Sequence, residues 1–148
     1  MSDRGPALTC KVDLRVRYSE TDQMGTFYNS RALEWFEVGR TELLRLVSVP
    51  GNEASGYAGI EAQGIMLPLV VAHVDYLGRA KYDDVLEMTV QAHMPGKARV
   101  RFDVRIVHAD QNHAPVAGGY TVHAVTGSSG KPIRPPSWFV KAFTRTDQ

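Results

Sequence analysis

The sequence predicts an α+β fold in which one long helix lies on an antiparallel sheet. Three observations lead there. Residues 12–18 alternate apolar with polar side chains, and residues 32–47 repeat apolar side chains at helical spacing. From Pro68 onward the period returns to two, through four runs separated by Gly- and Pro-containing turns. A helix with one apolar stripe and a sheet with one apolar face bury each other, which defines this layer architecture.

The first strand sets Val12, Leu14, Val16 and Tyr18 on its buried face against Lys11, Asp13, Arg15 and Arg17. Gly25 supplies a bend. Asn29 or Ser30 is the expected N-cap, with a side chain able to accept from amides of the first helical turn. Ala32, Phe36, Gly39, Leu43, Leu46 and Val47 share the helix's buried stripe, while Arg31, Glu34, Thr41, Glu42 and Arg45 fall largely off it. Val49-Pro50-Gly51 stops the helix. Residues 51–67 read as a Gly-rich loop with one short helical turn, placed to cover a pocket or merely to connect.

Residues 69–77 are apolar on both faces, so that strand is expected to be central in its sheet. His73 and Asp75 share a face there, read as a polar contact at a subunit interface in preference to a catalytic pair. Residues 85–94 and 99–106 form a hairpin about the Pro95-Gly96 turn, and a last strand runs from about Pro115 to Thr126. Gly118 and Gly119 within it predict a bulge, or the close approach of a helix or ligand. After the Gly127–Gly130 turn, residues 136–143 form a short helix.

Length and composition bound the remainder. At 148 residues, 43% hydrophobic and 22% charged, the chain is expected to form one domain over residues 1–148, with residues 1–8 loose. A net charge of +1 gives no global field for nucleic acid or an anionic membrane. The single Cys10 excludes an internal disulfide, and no His partner motif near it marks a nucleophile. The five His residues lack metal-ligand spacing, so no metal is expected. With no charged-then-apolar leader and no apolar run long enough to span a bilayer, the expectation is a cytoplasmic protein without a membrane partner.

The chemistry centres on Asp22, a few residues upstream of the helix start. Free amides and the positive dipole end of a helix can polarise a carbonyl and hold an oxyanion. A carboxylate facing the same carbonyl completes an acyl-transfer site, with Asp22 as nucleophile or general base and the amides near Tyr28 to Ser30 as the clamp. Taken alone, an Asp in a Gly-containing turn is more often a turn former.

The pattern Tyr18-x-x-Thr21-Asp22-x-x-Gly25, then Tyr28-Asn29, then Glu37-x-x-Arg40-x-Glu42-Leu43-Leu44, resembles the hot-dog-fold acyl-CoA thioesterases of the 4-hydroxybenzoyl-CoA thioesterase and YbgC type. Tyr76, Ala80 and Tyr82-Asp83-Asp84-Val85-Leu86, with Gly130-Lys131-Pro132-Ile133-Arg134-Pro135-Pro136, support it. The resemblance implies a five- to six-stranded antiparallel sheet wrapped around the central helix. It also implies an acyl-CoA substrate, no separate cofactor, and a homodimer or tetramer of dimers with its site at the dimer interface. On the matching positions it implies Asp22 as the catalytic carboxylate and Asn29 as a holder of the thioester oxygen, with Tyr28, Gly25 and Ser30 beside them. Arg40 matches the family's helical Arg and reads as a structural ion pair with Glu37.

Phosphates of CoA call for cations at the mouth of such a site. Lys97 and Arg99 by the hairpin, and Lys131 and Arg134 in the closing segment, are the candidates, and Arg101 is a further cation on the same strand. The same cations suit an acyl carrier protein, so that carrier stands as an alternative source of substrate, and a non-catalytic acyl-thioester-binding protein as another. A dehydratase of this fold lacks its recognisable Asp or Glu and His pairing here. A related subtype places a catalytic Glu on the helix; Glu34, Glu37 and Glu42 are the available residues, ranked below Asp22.

Overall fold

The computed structural model describes residues 8–51 and 56–144. Most of the segment expected to be loose lies outside those residues, and Leu8, its last member, is already in a strand. In chain order the elements are β1 (Leu8–Arg15), a 3-10 turn (Tyr18–Glu20), α1 (Arg31–Leu44), α2 (Gly56–Ala62), β2 (Leu69–Tyr76), β3 (Val85–His93), β4 (Arg99–His108), a second 3-10 turn (Gln111–His113), β5 (Pro115–Ala124) and α3 (Ser137–Phe143).

The five strands form one antiparallel sheet in the order β1-β3-β4-β5-β2. Alternate residues of β3 and β4, Leu86, Met88, Val90 and Ala92 with Val100, Phe102, Val104 and Ile106, point into the core. Ala32, Trp35, Phe36, Leu43 and Leu44 of α1 meet them there, and Phe139 and Phe143 of α3 close one end. The helix sits on the sheet as the hot-dog arrangement requires, and Gly39 sets how closely. A Cβ at Gly39 would stand 2.6 Å from Val90 Cγ2 and 3.0 Å from Met88 Sδ.

Four local expectations are corrected. Tyr18 is 78% exposed, because β1 ends at Arg15 and the chain curls into the 3-10 turn; Val16 is the last residue of the buried alternation. Leu46 is exposed because α1 stops at Leu44, after which the periodicity no longer places side chains. β2 is an edge strand, paired on one side with β5 alone and exposed on both faces except at Val74. Its apolar pattern records what both faces prefer, not what covers them in one chain. The close approach at Gly119 comes from the neighbouring strand, since a Cβ there would run into the His73 carbonyl oxygen.

Among the described residues no helix is long and apolar enough to cross a membrane.

Candidate active site

Asp22 stands in a miniature hairpin between the first 3-10 turn and α1. Thr21 bridges Phe27, the Asp22 amide donates to the Thr26 carbonyl (2.9 Å), and the Gly25 amide returns to the Asp22 carbonyl (3.1 Å). Gly25 takes the left-handed conformation (φ +79°) that the turn demands, as its sequence position predicts. The Asp22 side chain is half-buried, and its Oδ1 accepts the Met24 amide at 2.8 Å, an Asx-turn contact. Its Oδ2 has no hydrogen-bond partner among the described residues. The turn-forming contact thus engages Oδ1 and leaves Oδ2 free among the described residues.

The helix start is built from backbone. Phe27 donates to the Ala80 carbonyl (2.9 Å), Tyr28 donates to the Glu20 carbonyl (2.8 Å), and Arg31 donates to the Tyr28 carbonyl (2.9 Å). Tyr76 of β2 donates its hydroxyl to the Asn29 carbonyl at 2.7 Å. Ser30 occupies the N-cap position, yet neither it nor Asn29 caps through a side chain; Ser30 already has helical dihedrals (φ −66°, ψ −20°), which turns its hydroxyl away from that role. The amides of Asn29 and Ser30 donate no hydrogen bond among the described residues. The Tyr28 amide is engaged by Glu20, so the expected clamp narrows to those two.

One residue escaped the sequence reading. Glu20 is buried and gathers the Arg17 amide (2.7 Å), the Trp35 indole N–H (2.8 Å) and the Arg17 guanidinium (3.4 Å) on its carboxylate. Burial pushes its pKa up, but the Arg17 amide, the indole and the guanidinium together hold it below the ordinary carboxylate range. It ties the 3-10 turn to the buried face of α1, two residues before Asp22. A buried Trp needs an acceptor for its indole N–H, and that need at Trp35 was the available signal.

Of the four candidate cations, Lys97 and Arg134 line one cavity of about 640 Å³ between the β3–β4 hairpin and α3, with Met94, Ala98, Ile133 and Val140 as its apolar wall. Arg99 and Lys131 are exposed and do not line it. That cavity lies at the opposite end of β3 from the Asp22 turn.

A smaller cavity, about 160 Å³, opens midway along α1 between Glu37, Arg40, Tyr57 and His123. The Gly-rich loop contributes Tyr57 to it from α2, with the Tyr57 hydroxyl accepting the Leu67 amide (3.2 Å). His123 donates from Nδ1 to the Leu67 carbonyl (2.9 Å) and accepts from Thr121 at Nε2 (3.0 Å). Burial pushes its pKa down, the Leu67 carbonyl opposes this, and Arg40 adds to the depression, so the ring is neutral at neutral pH. Arg40 is itself depressed by burial and supported by Glu37, but the two do not approach within 4 Å, so the expected ion pair is not formed. Glu34 and Glu42 are held instead by Arg31 (2.8 Å) and Arg45 (3.2 Å).

His73 and Asp75 do meet, at 3.1 Å, on the exposed edge strand, where His73 stacks on Tyr120. Burial, aided by Glu42, raises the Cys10 pKa, which disfavours its thiolate.

Comparison with known proteins adds the following. The model of a family described as the thioesterase-like superfamily matches residues 16–143. The 1,4-dihydroxy-2-naphthoyl-CoA hydrolase of Synechococcus elongatus is 30% identical over 108 residues, covering 73% of this chain and 74% of that one. YneP of Bacillus subtilis, a candidate acyl-CoA thioesterase, is 38% identical over 66 residues, 45% of this chain and only 44% of its own length. In three dimensions the chain is similar to a DHNA-CoA thioesterase from Staphylococcus aureus, with a TM-score of 0.71, 26% identity, and coverage of 85% of this chain and 80% of that one.

Proposed function

The chain belongs to the thioesterase-like superfamily, and on that premise we propose that it hydrolyses an acyl-CoA thioester, with a short-chain or aromatic acyl group, to the free acid and CoA. The observation that carries the reading is one carboxylate oxygen of Asp22, in a short hairpin, and two amides at the start of α1 just after it, none with a hydrogen-bond partner among the described residues. The Asn29 and Ser30 amides accept the developing charge of the thioester oxygen, reinforced by the helix dipole. Asp22 either attacks the thioester carbon, releasing CoA thiolate and leaving an anhydride for water to cleave, or takes a proton from a water that attacks the same carbon. Relatives whose names specify CoA esters, one of them a naphthoyl ester, support the CoA and aromatic parts of the reading.

The unpaired β2 edge supports the second part, a dimer through that strand. Leu69, Val70 and Val71 are all exposed there, and pairing two such edges about a two-fold axis removes a hazard that a soluble protein cannot leave open. Lys97 and Arg134 then serve as the phosphate contacts.

The test is thiol release from short, medium, long and aryl acyl-CoA substrates, comparing wild type with Asp22→Asn. The variant keeps an acceptor for the Met24 amide and so is expected to remain folded. Turnover should fall at least about 100-fold with little change in melting temperature. Full turnover by Asp22→Asn overturns the assignment, and activity confined to acyl carrier protein substrates moves the reading to that carrier. Transfer of oxygen from labelled water into Asp22 in a single turnover identifies the nucleophilic route.

A further inference from the structure

Asp22 is not held by its own turn alone. Three hydrogen bonds run in series from the core to its carboxylate. His108, on the last position of β4, is buried and donates from Nε2 to the Arg79 carbonyl at 2.8 Å. The Arg79 guanidinium donates to the Met24 carbonyl at 2.9 Å. The Met24 amide donates to Asp22 Oδ1 at 2.8 Å. Each hydrogen bond shares one residue with the next, so the three form one series from β4 to the carboxylate.

The surroundings make this series the main support of the turn's tip. A depression of about 420 Å³, which Arg79 and His108 also line, separates Met24 and Gly25 from Lys81, Asp84 and Gln111. The base of the turn is fastened separately, by Phe27 on the Ala80 carbonyl and by Thr26, whose hydroxyl accepts the Ala80 amide at 3.1 Å. Among the described residues, only the Arg79 guanidinium hydrogen-bonds to the tip from outside the turn. Arg79 has no carboxylate within 4 Å among the described residues, so its guanidinium is not drawn elsewhere.

The fixed end is unusual. His108 Nδ1 is buried without a hydrogen-bond partner among the described residues, 4.0 Å from Asp84 Oδ2, while that carboxylate oxygen accepts the Lys81 amide at 2.8 Å. An apolar side chain would fill this place without an orphaned ring nitrogen but would leave the Arg79 carbonyl without this donor. What the imidazole adds is the donor to Arg79.

We propose that Arg79 and His108 are positioning residues for the reaction, setting the direction of the Asp22 carboxylate through the backbone of Met24. The inference rests on Asp22 being the reacting carboxylate. Small errors in the aim of a reacting group cost rate more than binding. Loss of a link therefore lowers kcat and leaves KM nearly unchanged, because neither residue lines the cavity of Lys97 and Arg134 assigned to the CoA phosphates.

The experiment compares Asp22→Asn, Arg79→Met, His108→Leu, His108→Gln and the Arg79→Met/His108→Leu pair on the best acyl-CoA substrate. Arg79→Met and His108→Leu should each lower kcat about 10- to 100-fold with KM within about twofold. His108→Gln, which restores an N–H donor toward the Arg79 carbonyl, should recover most of that loss. The pair should be little worse than either single variant, because it breaks one series twice. Wild-type kcat in Arg79→Met or in His108→Leu overturns the inference while Asp22→Asn stays inactive. A lowered melting temperature in His108→Leu with unchanged kcat also overturns it, since that is what a purely structural histidine gives. Full activity in Asp22→Asn fails the catalytic reading itself, whatever the other variants do.

Discussion

Replacing Glu20 by Ala tests whether the buried carboxylate beside the turn holds the site together. Its side chain is 5% exposed, and removing it leaves the Arg17 amide and the Trp35 indole without their acceptor. A buried donor left unpaired costs about 1–3 kcal/mol, so the two together predict a loss of about 2–6 kcal/mol. At roughly 2–4 °C per kcal/mol for a chain of this size, the melting temperature falls by about 4–24 °C. The assay is urea and thermal unfolding at one fixed protein concentration, since association would shift both readouts. The pH dependence carries a sign. Because the folded Glu20 lies below the ordinary carboxylate value, its contribution is complete above the unfolded pKa, near about 4.3, and is lost as the pH falls through the folded value. The gap between wild type and Glu20→Ala is therefore constant from neutral pH down to about pH 5 and narrows below about pH 4. A change under about 0.5 kcal/mol, or a gap that widens in acid, refutes the anchoring role.

Two further outcomes are expected. Gly39→Ala forces a methyl against Val90 and Met88 and should cost about 1–3 kcal/mol in urea unfolding, even though Ala is the better helix former; a stabilised variant would show that α1 can lift off β3 without loss. Lys97→Ala with Arg134→Ala should raise KM for CoA esters about tenfold or more, reduce the salt dependence of kcat/KM, and leave small thioesters that lack phosphates unaffected; equal effects on both substrates would remove these cations from the carrier site.

The fold was largely legible because alternation and helical spacing report burial directly, as β3 and β4 show at every position from Leu86 to Ile106. Reading failed where burial is decided by distant partners. Leu69 to Val71 have the pattern of a central strand and lie on an edge, since sequence records apolar faces without saying which chain covers them. Asp22 and Gly25 stood out because turn chemistry is local. Glu20 with Trp35, and the series from His108 through Arg79 to Met24, join residues 15, 29 and 55 positions apart, and no periodicity marks such contacts. Lys97 and Arg99 were candidates by residue type beside the hairpin, Lys131 and Arg134 by their place in the closing segment, and only the packing of α3 against the hairpin separates Lys97 and Arg134 from the other two.

The proposed dimer through β2 would place groups from both chains at one site. The Asp22 turn is fastened to Ala80, just before β3, whereas Lys97 follows the other end of that nine-residue strand. At roughly 3.3 Å per residue the two lie about 30 Å apart along the sheet. Leu69 pairs with His123 at the Lys97 end, and Tyr76 pairs with Ala117 at the Asp22 end. Antiparallel pairing of two β2 edges reverses one strand against the other, so the Tyr76 end of each chain meets the Leu69 end of its partner. The carboxylate of one protomer and the cations of the other are thereby brought to the same side of the interface. Mixing Asp22→Asn chains with Lys97→Ala/Arg134→Ala chains, then unfolding and refolding them together, tests this at low CoA-ester concentration. Random pairing makes half of the dimers mixed, each with one intact site, so about a quarter of wild-type activity should return. A site contained in one chain, or a protein that stays monomeric, would return none beyond the average of the two parents.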